Sequence, residues 1–386
     1  MVAPTRDTRL AHPVRRKPRA IIFAFMLTLV LAACGDDNGN TSSAAPPTPP
    51  PSPAPGETPI PTPTFEPGQH YGVLDGIPME GSEFDRRASL APVAIMVDNH
   101  PAAYPQQGLD RADLVYETFV EGQFTRYLAV YWRKDSEHVE PVRSARVPFV
   151  HWTYELDAIL AQVGAATYSG EANAIQRARE WQIPVLDHDQ AIGPPAFRRT
   201  TERRPPHNVA ADTRAIRQEA DARGIAPAAE FDVSELDRWQ FKDPGEGIAD
   251  LPAAGRINVR YSSQPAGGTV VEWRWDEDAG SYARYRDGEP HRDAGTGEQL
   301  MFTNVAVMNV PARTVSPHGH VVFDQVGDGA ATVYLDGKRI DARWEKPSES
   351  ARTRFYDGDG FEVAFTRGPT WVHMVAPASI VEDSAP

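Results

Sequence analysis

The sequence predicts a folded part of two domains, an α/β layered domain over residues 69–249 and a smaller, mostly-β domain over residues 250–386. Apolar strand patterns alternate with helical patterns in the first region, which is typical of an α/β layered fold. Period-two alternation interrupted by Asp-Gly pairs dominates the second region. Eleven of the 36 prolines lie between Pro46 and Pro67, so a disordered stalk is predicted ahead of both domains.

Residues 1–33 have the pattern of a signal peptide. Six basic side chains are followed by an uncharged apolar run from Ala20 to Ala33, which is too short to span a bilayer comfortably. The run ends in Leu31-Ala32-Ala33-Cys34, which resembles the lipobox of bacterial lipoproteins. This motif predicts cleavage before Cys34 and a lipid anchor of two acyl chains, such as palmitate, on that cysteine. A short uncleaved membrane anchor and an ordinary secretory signal are the alternatives.

The composition excludes several classes of protein. Cys34 is the only cysteine, which rules out an internal disulfide framework, a four-thiolate zinc site and a cysteine-ligated iron–sulfur cluster. The net charge is −14, and residues 1–33 carry a net +5, so the mature chain carries −19. An acidic chain argues against a nucleic-acid partner, and the lipid on Cys34 is then its expected contact with an anionic membrane.

Residues 34–68 are predicted to form the disordered linker between the lipidated cysteine and the folded part. The segment is rich in Pro, Ser, Thr and Gly and has almost no large apolar side chain, so it cannot repay its ordering entropy by burial. In an extended polyproline II conformation it reaches on the order of 100 Å. A docking site for a proline-recognising partner is the alternative.

The first domain is predicted to alternate strands and helices. Strands are expected at residues 93–97, 113–120, 126–132, 158–163 and 183–186, with 126–132 returning antiparallel to 113–120. Helices are expected from after Arg146 to about Leu156, from a cap at Ser169 to Trp181, and from about Ala211 to Arg223. The last helix is expected to stop at Gly224.

The second domain is predicted to be a small barrel or sandwich that begins near Asp250, after a stretch of Pro and Gly breakers. Strands are expected at residues 269–275, 282–286, 305–310, 320–324 and 332–335, with tight turns at Asp287-Gly288 and Asp336-Gly337. One hairpin carries four aromatic residues, Trp273, Trp275, Tyr282 and Tyr285. Packing across strands is the favoured interpretation of this group, and a sugar-binding platform is the alternative.

Several short motifs in both domains resemble the YerB-like family of bacterial lipoproteins, over nearly all of residues 71–376. In the first domain they are Asp98-Asn99-His100-Pro101, Ala112 to Glu117, Val120-Glu121-Gly122, Thr125-Arg126, Pro141 to Arg146 and Pro206-His207-Asn208. In the second they are Asn304-Val305, Gly319-His320, Asp336-Gly337-Lys338 and Gly368-Pro369-Thr370-Trp371. The resemblance implies a cell-envelope location and a two-part architecture, without an established reaction.

Three acidic residues are predicted to share one face of the 113–120 strand and its end. Asp113, Glu117 and Glu121 are spaced for one face, and Glu121 is expected opposite Arg126 across the hairpin. A solvated strand face with one ion pair is the structural interpretation. Glycosidase chemistry needs two carboxylates closer than the roughly 13 Å between Glu117 and Glu121, although Asp98 is able to meet Glu117 instead.

Arg143 and Arg146 are predicted at a helix start, where further positive charge requires a counter-charge. Glu117 or Glu121 is the simplest partner. The functional alternative is a bound anion or carboxylate held by backbone N–H groups and the two guanidiniums.

Asp98, His100 and His207 are predicted at strand ends or loops, where α/β sheets bind ligands, and they suit an acid–base or metal constellation. Their spacing matches no zinc template, and no metal or cofactor is predicted. Asp187-His188-Asp189 and His318-Gly319-His320 are weaker candidates, for which a structural role is favoured. The sequence contains no nucleophile elbow, P-loop or dinucleotide fingerprint.

The resulting hypothesis is an extracytoplasmic lipoprotein, on the outer face of the cytoplasmic membrane or in the periplasm, with a polar pocket in its first domain. Candidate catalytic residues are Asp98, His100, Glu117, Glu121 and His207, and candidate ligand-binding residues are Arg126, Arg143, Arg146 and Asn208. The favoured function is a binding or accessory protein of the envelope, with a wall glycan, a wall peptide or an envelope protein as ligand. The alternative is an envelope hydrolase that uses the same pocket.

Overall fold

A computed structural model describes residues 68–167, 170–188, 196–261 and 270–385 of the chain. The predicted signal peptide, Cys34, the stalk up to residue 67, Ser169 and Asp189 lie outside the described residues. The described part is mostly sheet, with four α-helices.

The secondary structure begins with short strands and then follows the predicted alternation. The helices are α1 (Gly81–Arg87), α2 (Val147–Glu155), α3 (Ala174–Glu180) and α4 (Thr213–Ala222). The strands of the first half are β1 (His70–Tyr71), β2 (Pro78–Met79), β3 (Val93–Asp98), β4 (Leu114–Phe119), β5 (Thr125–Tyr131), β6 (Ile159–Gln162), β7 (Val185–Asp187), β8 (Phe197–Arg199), β9 (Val209–Ala211) and β10 (Phe241–Lys242). The strands of the second half are β11 (Arg256–Arg260), β12 (Val271–Asp276), β13 (Ser281–Arg286), β14 (Glu289–Pro290), β15 (Met301–Phe302), β16 (Asn304–Asn309), β17 (Ala312–Thr314), β18 (Val321–Phe323), β19 (Gly327–Leu335), β20 (Lys338–Lys346), β21 (Arg354–Tyr356), β22 (Phe365–Thr366), β23 (Thr370–Val375) and β24 (Ile380–Ser384).

One mixed sheet of ten strands crosses the predicted domain boundary. Its order is β21-β20-β19-β16-β23-β4-β5-β3-β6-β7, so five strands from the second half continue a sheet of five strands from the first. The halves join where β23 pairs parallel with β4, with Val372 opposite Tyr116. The second region therefore does not close into a barrel or sandwich of its own, because β16 and β23 are buried strands whose pairing continues into β4.

Six other strands of the second half form a separate sheet in the order β14-β13-β12-β11-β24, with β15 also paired to β13. The strands β17 and β18 pair with each other, and β22 pairs with β10. The two predicted Asp-Gly turns are confirmed, because Asp287 (φ 52°), Gly288 (φ 85°), Asp336 (φ 51°) and Gly337 (φ 71°) all have positive φ. This backbone is the type I′ turn that matches the twist of a tight hairpin.

Two helices agree closely with the sequence, and the third has a different cap. The helix α2 follows Arg146, and α4 begins at the N-cap Asp212 and ends before Gly224, as predicted. The N-cap of α3 is Asn173, whose side-chain oxygen accepts the Gln176 N–H at 2.9 Å. This bond satisfies one of the unpaired N–H groups at the helix start.

The core lies on both faces of the large sheet and contains most of the tryptophans. All six positions of β3 are buried, which is typical of a strand covered on two sides. Trp273 is fully buried, and its ring makes edge contacts with the rings of Phe302 and Trp371. The packing interpretation is thus confirmed for Trp273.

Within the described residues, no helix is long and apolar enough to cross a membrane.

Candidate functional site

Polar side chains from four chain segments meet where β3 ends and β5 begins. The antiparallel register places Asp98 opposite Arg126, and Arg143 N–H donates to the carbonyl of Met96 at 2.9 Å, which holds the 141–146 segment beside β3. Val142 N–H donates to the carbonyl of Val209, which brings the region after β8 alongside. We call the resulting group the arginine–histidine cluster, and its members are Asp98, His100, Glu121, Arg126, Arg143, Arg146 and His207.

Asp98 and His207 form the central contact of the cluster. The Nδ1 atom of His207 lies 2.7 Å from Oδ2 of Asp98, and the ring of His100 stacks on that of His207 with centroids 4.8 Å apart. Asp98 also accepts the His100 N–H at 3.2 Å. The predicted meeting of Asp98, His100 and His207 is therefore seen, although His207 is more than 100 positions from the other two residues in the chain.

The ionised form of Asp98 is stabilised by its neighbours. Burial acts to raise the pKa of this carboxyl, but the charge of Arg126 and the hydrogen bond from His207 outweigh it and hold the pKa below its usual value. Nε of Arg143 lies 3.2 Å from Oδ2 of Asp98, without the alignment of a hydrogen bond. The ionised Asp98 accepts a hydrogen bond from Nδ1 of His207 and so orients the ring.

Arg126 is buried in the cluster without enough negative charge around it. Its Nη1 donates to the Ser144 carbonyl at 2.6 Å, while its Nε has no hydrogen-bond partner among the described residues. Burial and the positive charge of Arg146 lower the pKa of Arg126 to about 9. The cluster thus contains three guanidiniums against the two carboxylates of Asp98 and Glu121, which gives it an excess of positive charge.

Arg146 is the partner of Glu121. Two donors of its guanidinium bind both carboxylate oxygens, with Nε at 2.7 Å from Oε2. Burial acts to raise the pKa of Glu121, but this pairing lowers it to about 2. The predicted pair of Arg146 with an acid is confirmed, whereas the pairing of Glu121 with Arg126 is wrong, because the hairpin register sets Thr118 opposite Arg126.

The start of α2 contributes few backbone donors, contrary to the predicted anion site at a helix end. Pro148 has no N–H, and the N–H groups of Phe149 and Val150 donate to the Arg146 carbonyl. An anion at this position would therefore have to be bound by side chains and not by backbone N–H groups.

Two histidines that sequence reasoning set aside lie next to the cluster. An open depression beside Arg146 is lined by Ser144, Arg146, Ala165, Ala166, Thr167, His318 and His320. Gly319 lies against Glu121, since a Cβ built on it comes within 3.7 Å of the Glu121 Cβ. Burial lowers the pKa of His320. No local signal links His318 to Arg146, because they are brought together only by the folding of the second half onto the first.

A second feature missed by the sequence analysis is the basic hairpin of β8 and β9. The hairpin carries four arginines, Arg198 and Arg199 on β8 and Arg203 and Arg204 in the loop, in a chain that is acidic overall. Arg203 pairs with Glu140, with Nη1 at 3.1 Å from Oε2. The run Arg-Arg-Thr-Thr-Glu-Arg-Arg was the available signal. Asn208 has a structural role here, because it is buried and bonds to Arg199 and to the Thr200 carbonyl. That Asn208 binds a ligand stays a prediction.

Glu117 is not part of an open pocket, contrary to the prediction for this strand. Its side chain is 0% exposed and accepts hydrogen bonds from Thr125 at 2.7 Å, Arg284 at 2.9 Å and Trp371 at 3.1 Å. Arg284 is also fully buried and belongs to β13, in the other sheet. We call this set, with the histidines His291 and His373 and with Tyr261, the Glu117 network. It joins the two sheets at their centre.

Hydrogen-bond donors fix the state of both histidines in the Glu117 network. The indole N–H of Trp273 donates to Nε2 of His373, so the ring carries its proton on Nδ1, 2.7 Å from the Tyr261 hydroxyl. Burial and the charge of Arg284 hold the pKa of His373 well below its usual value. His291 is likewise kept neutral by burial and Arg284, which hold its pKa well below the usual range. Neutral histidines avoid adding a second positive charge to Arg284.

Asp113, which directly precedes β4, is also buried. The predicted solvated strand face is therefore wrong for both Asp113 and Glu117. Oδ2 of Asp113 accepts the N–H groups of Trp132 and Arg133 at 2.6 and 2.8 Å. Burial and the nearby charge of Asp75 raise the pKa of Asp113 to about 7.

Comparison with known proteins assigns the chain to a family. Residues 80–226 match the N-terminal domain, and residues 257–372 the C-terminal domain, of a family described as protein of unknown function (DUF3048). The chain is 29% identical over 302 residues to "Putative lipoprotein YerB" of Bacillus subtilis (strain 168), covering 78% of this chain and 85% of that protein. It belongs to the DUF3048 family. The crystal structure of YerB from Bacillus subtilis superposes with a TM-score of 0.68 and 26% identity, over 81% of this chain and 99% of that one.

The arginine–histidine cluster lies in the DUF3048 N-terminal domain, and the C-terminal domain completes its surroundings. All seven members fall within residues 80–226, whereas His318 and His320 fall within residues 257–372. The DUF3048 domains therefore share the site, as they share the ten-stranded sheet. Among the residues that the structure describes, no three His, Cys, Asp or Glu side chains are grouped as metal ligands.

Proposed function

We propose that the protein is an extracytoplasmic lipoprotein whose folded part binds an anionic ligand of the cell envelope at the arginine–histidine cluster. The expected ligand is a wall glycan, a wall peptide or an envelope protein. The lipobox at Leu31 to Cys34 and the name of the Bacillus subtilis relative support the lipid anchor. The stalk gives the folded part a reach on the order of 100 Å from the membrane.

The unbalanced charge of the cluster carries this proposal. Arg126 is buried with an unpaired Nε, and three guanidiniums face two carboxylates. Burying a guanidinium without full compensation costs folding free energy, so a stable chain keeps such a group where a ligand supplies the missing charge.

Co-sedimentation with cell-envelope fragments tests the binding proposal, since the fragments present wall glycan, wall peptide and envelope proteins together. The mature protein, purified in detergent, is expected to sediment with the fragments. Arg143→Ala is expected to weaken binding by about tenfold, because a charge-assisted hydrogen bond is worth about 1.5–3 kcal/mol. Arg223→Ala is the matched control, since it removes an exposed arginine whose partner is Glu219 on α4. Equal binding by the wild type and Arg143→Ala contradicts the proposal.

A second candidate function, envelope hydrolysis, is favoured by the 2.7 Å contact of His207 with Asp98. A carboxylate that orients an imidazole in this way prepares it as a general base. The same fragments are incubated with the protein, and soluble products are separated by chromatography. The hydrolase hypothesis expects products that His207→Asn no longer releases. Binding without any product excludes it and leaves the binding function.

The anchor has its own test, which is independent of the ligand. Cys34→Ala is expected to abolish the incorporation of labelled palmitate, because it removes the acylated sulfur. Ser43→Ala, in the same segment, is the control and is expected to keep the label. Wild-type protein that stays in the membrane fraction without taking up label favours the uncleaved anchor instead.

A further inference from the structure

The depression beside Arg146 continues along α3 as one trough. A second depression is lined by Thr167, Asn173, Ile175, Gln176, Arg179 and Glu180. Thr167 lines both depressions, so they are adjacent sections of one surface feature. Four of the seven residues of α3, from Ile175 to Glu180, line the second depression over about 8 Å of the helix. The trough is therefore longer than a single ion or a single small group requires.

The end of the trough at the cluster is suited to an anionic group. Arg146 uses Nε and Nη2 on Glu121 and one hydrogen of Nη1 on the Ala145 carbonyl, so both Nη atoms keep a further hydrogen. Its guanidinium lines the depression together with His318 and His320. The buried Arg126, bonded to the carbonyl of the lining residue Ser144, adds positive potential from below.

The section along α3 has a different chemistry. Its described lining consists mainly of amide, hydroxyl and charged groups, with Gln176 donating to Glu180 at 2.8 Å. Among the described residues, the apolar lining of the two sections comprises Ala165, Ala166 and Ile175. Amides and hydroxyls exchange hydrogen bonds with hydroxyl-rich ligands, whereas the bulky apolar side chains of a peptide need a deeper apolar pocket.

We infer that the trough binds an extended, hydroxyl-rich chain that carries repeated anionic groups. One phosphate or carboxylate of the chain lies against Arg146, and the next polyol or sugar unit lies along α3 against Gln176. The inference rests on the proposed function, because the first anionic group occupies the arginine–histidine cluster. It adds the class of ligand and predicts that affinity depends on chain length.

Binding of defined soluble probes to the mature protein in detergent tests this inference. Oligomers of glycerol phosphate and of galacturonate represent the phosphate and carboxylate sources, with glycerol 3-phosphate and galacturonate as monomers and neutral dextran as the uncharged chain. Calorimetry is expected to show oligomers of at least one source binding about tenfold or more tighter than their monomer, since two sections are contacted together. Dextran is expected to bind at least tenfold more weakly than the oligomers.

Two variants separate the sections of the trough. Gln176→Ala is expected to remove most of the advantage of the oligomer while leaving monomer affinity unchanged, and Gln218→Ala on α4 is the matched control. Arg146→Ala is expected to weaken monomer and oligomer alike. Circular dichroism confirms that each variant is folded.

The outcomes distinguish this inference from the proposed function. Binding to envelope fragments that depends on Arg143, with oligomers no tighter than monomers, overturns the trough and leaves the proposed function standing. If the wild type binds neither the envelope fragments nor the soluble oligomers, both the proposed function and the trough inference are overturned. Tighter binding of poly-glutamate than of either polyol or sugar oligomer overturns the ligand class in favour of an acidic peptide.

Discussion

The arginine–histidine cluster and the Glu117 network are built from neighbouring residues of the same strands but have opposite properties. Asp98 and Arg126 belong to the cluster, whereas Glu117 and Thr125, one residue before Arg126, belong to the network. The network is fully buried, and its charges are balanced by Arg284 against Glu117. The cluster is partly open and has one more guanidinium than carboxylate.

This difference separates a structural polar group from a functional one better than residue type does. A buried carboxylate with three donors and a paired guanidinium has no capacity left for a ligand. A buried guanidinium with an excess of positive neighbours, such as Arg126, keeps that capacity. An unpaired Nε does not separate the two regions, because Arg284 has one as well. Glu117 was a candidate catalytic residue on sequence grounds, yet in the structure it is buried and its ion pair with Arg284 connects the two sheets.

The largest expected effect comes from breaking the Glu117 network. Glu117→Gln leaves Arg284 buried without its counter-charge, so the free energy of unfolding is expected to fall by about 3–5 kcal/mol. Urea denaturation followed by tryptophan fluorescence measures the change. Binding to envelope fragments is expected to survive in the folded fraction.

The matched control for this prediction is Glu121→Gln, which breaks a pair in the cluster that is partly exposed. A double variant, Glu117→Gln with Arg284→Met, is expected to recover part of the loss, because it removes the orphaned charge. Equal destabilisation by Glu117→Gln and Glu121→Gln contradicts the distinction between the two regions.

Protonation of Glu121 at low pH is expected to lower the free energy of unfolding by less than Glu117→Gln does. Its pKa lies at about 2 in the folded state, below the ordinary 4.5, so the pair with Arg146 stabilises the fold above pH 4.5. This contribution, about 1 kcal/mol for a pair near the surface, is lost as the pH falls from 4.5 to 2. The difference in unfolding free energy between wild type and Glu121→Gln, measured by urea titration at several pH values, should shrink over that range. A difference that is constant with pH contradicts the assignment.

The smallest expected change in stability comes from Arg143→Ala. The substitution removes the contact with Asp98 but also removes a like charge near Arg126, so the two effects oppose each other. The free energy of unfolding is expected to change by less than about 0.5 kcal/mol. Thermal unfolding of the same preparation used for the binding assay checks this, and a drop of several kcal/mol would assign Arg143 a structural role.

The sequence predicted much of the local structure and part of the site. The strands near 93–97, 113–120 and 126–132 were predicted because alternation and apolar runs are local properties. The meeting of Asp98, His100 and His207 followed from their places at strand ends. The burial of Glu117 was not predictable, because a carboxylate on a strand looks the same whether water or Arg284 faces it.

The sequence by itself determined the main strands and three of the four α-helices, the type I′ turns and, as predictions, the lipid anchor and stalk, since each depends on residues close together in the chain. The tertiary structure alone decided that β23 pairs with β4, that Arg284 neutralises Glu117, and that His318 and His320 lie beside Arg146. These contacts join residues more than 160 positions apart. Their formation depends on which buried surfaces and charges fit one another in three dimensions, and no local pattern records that fit.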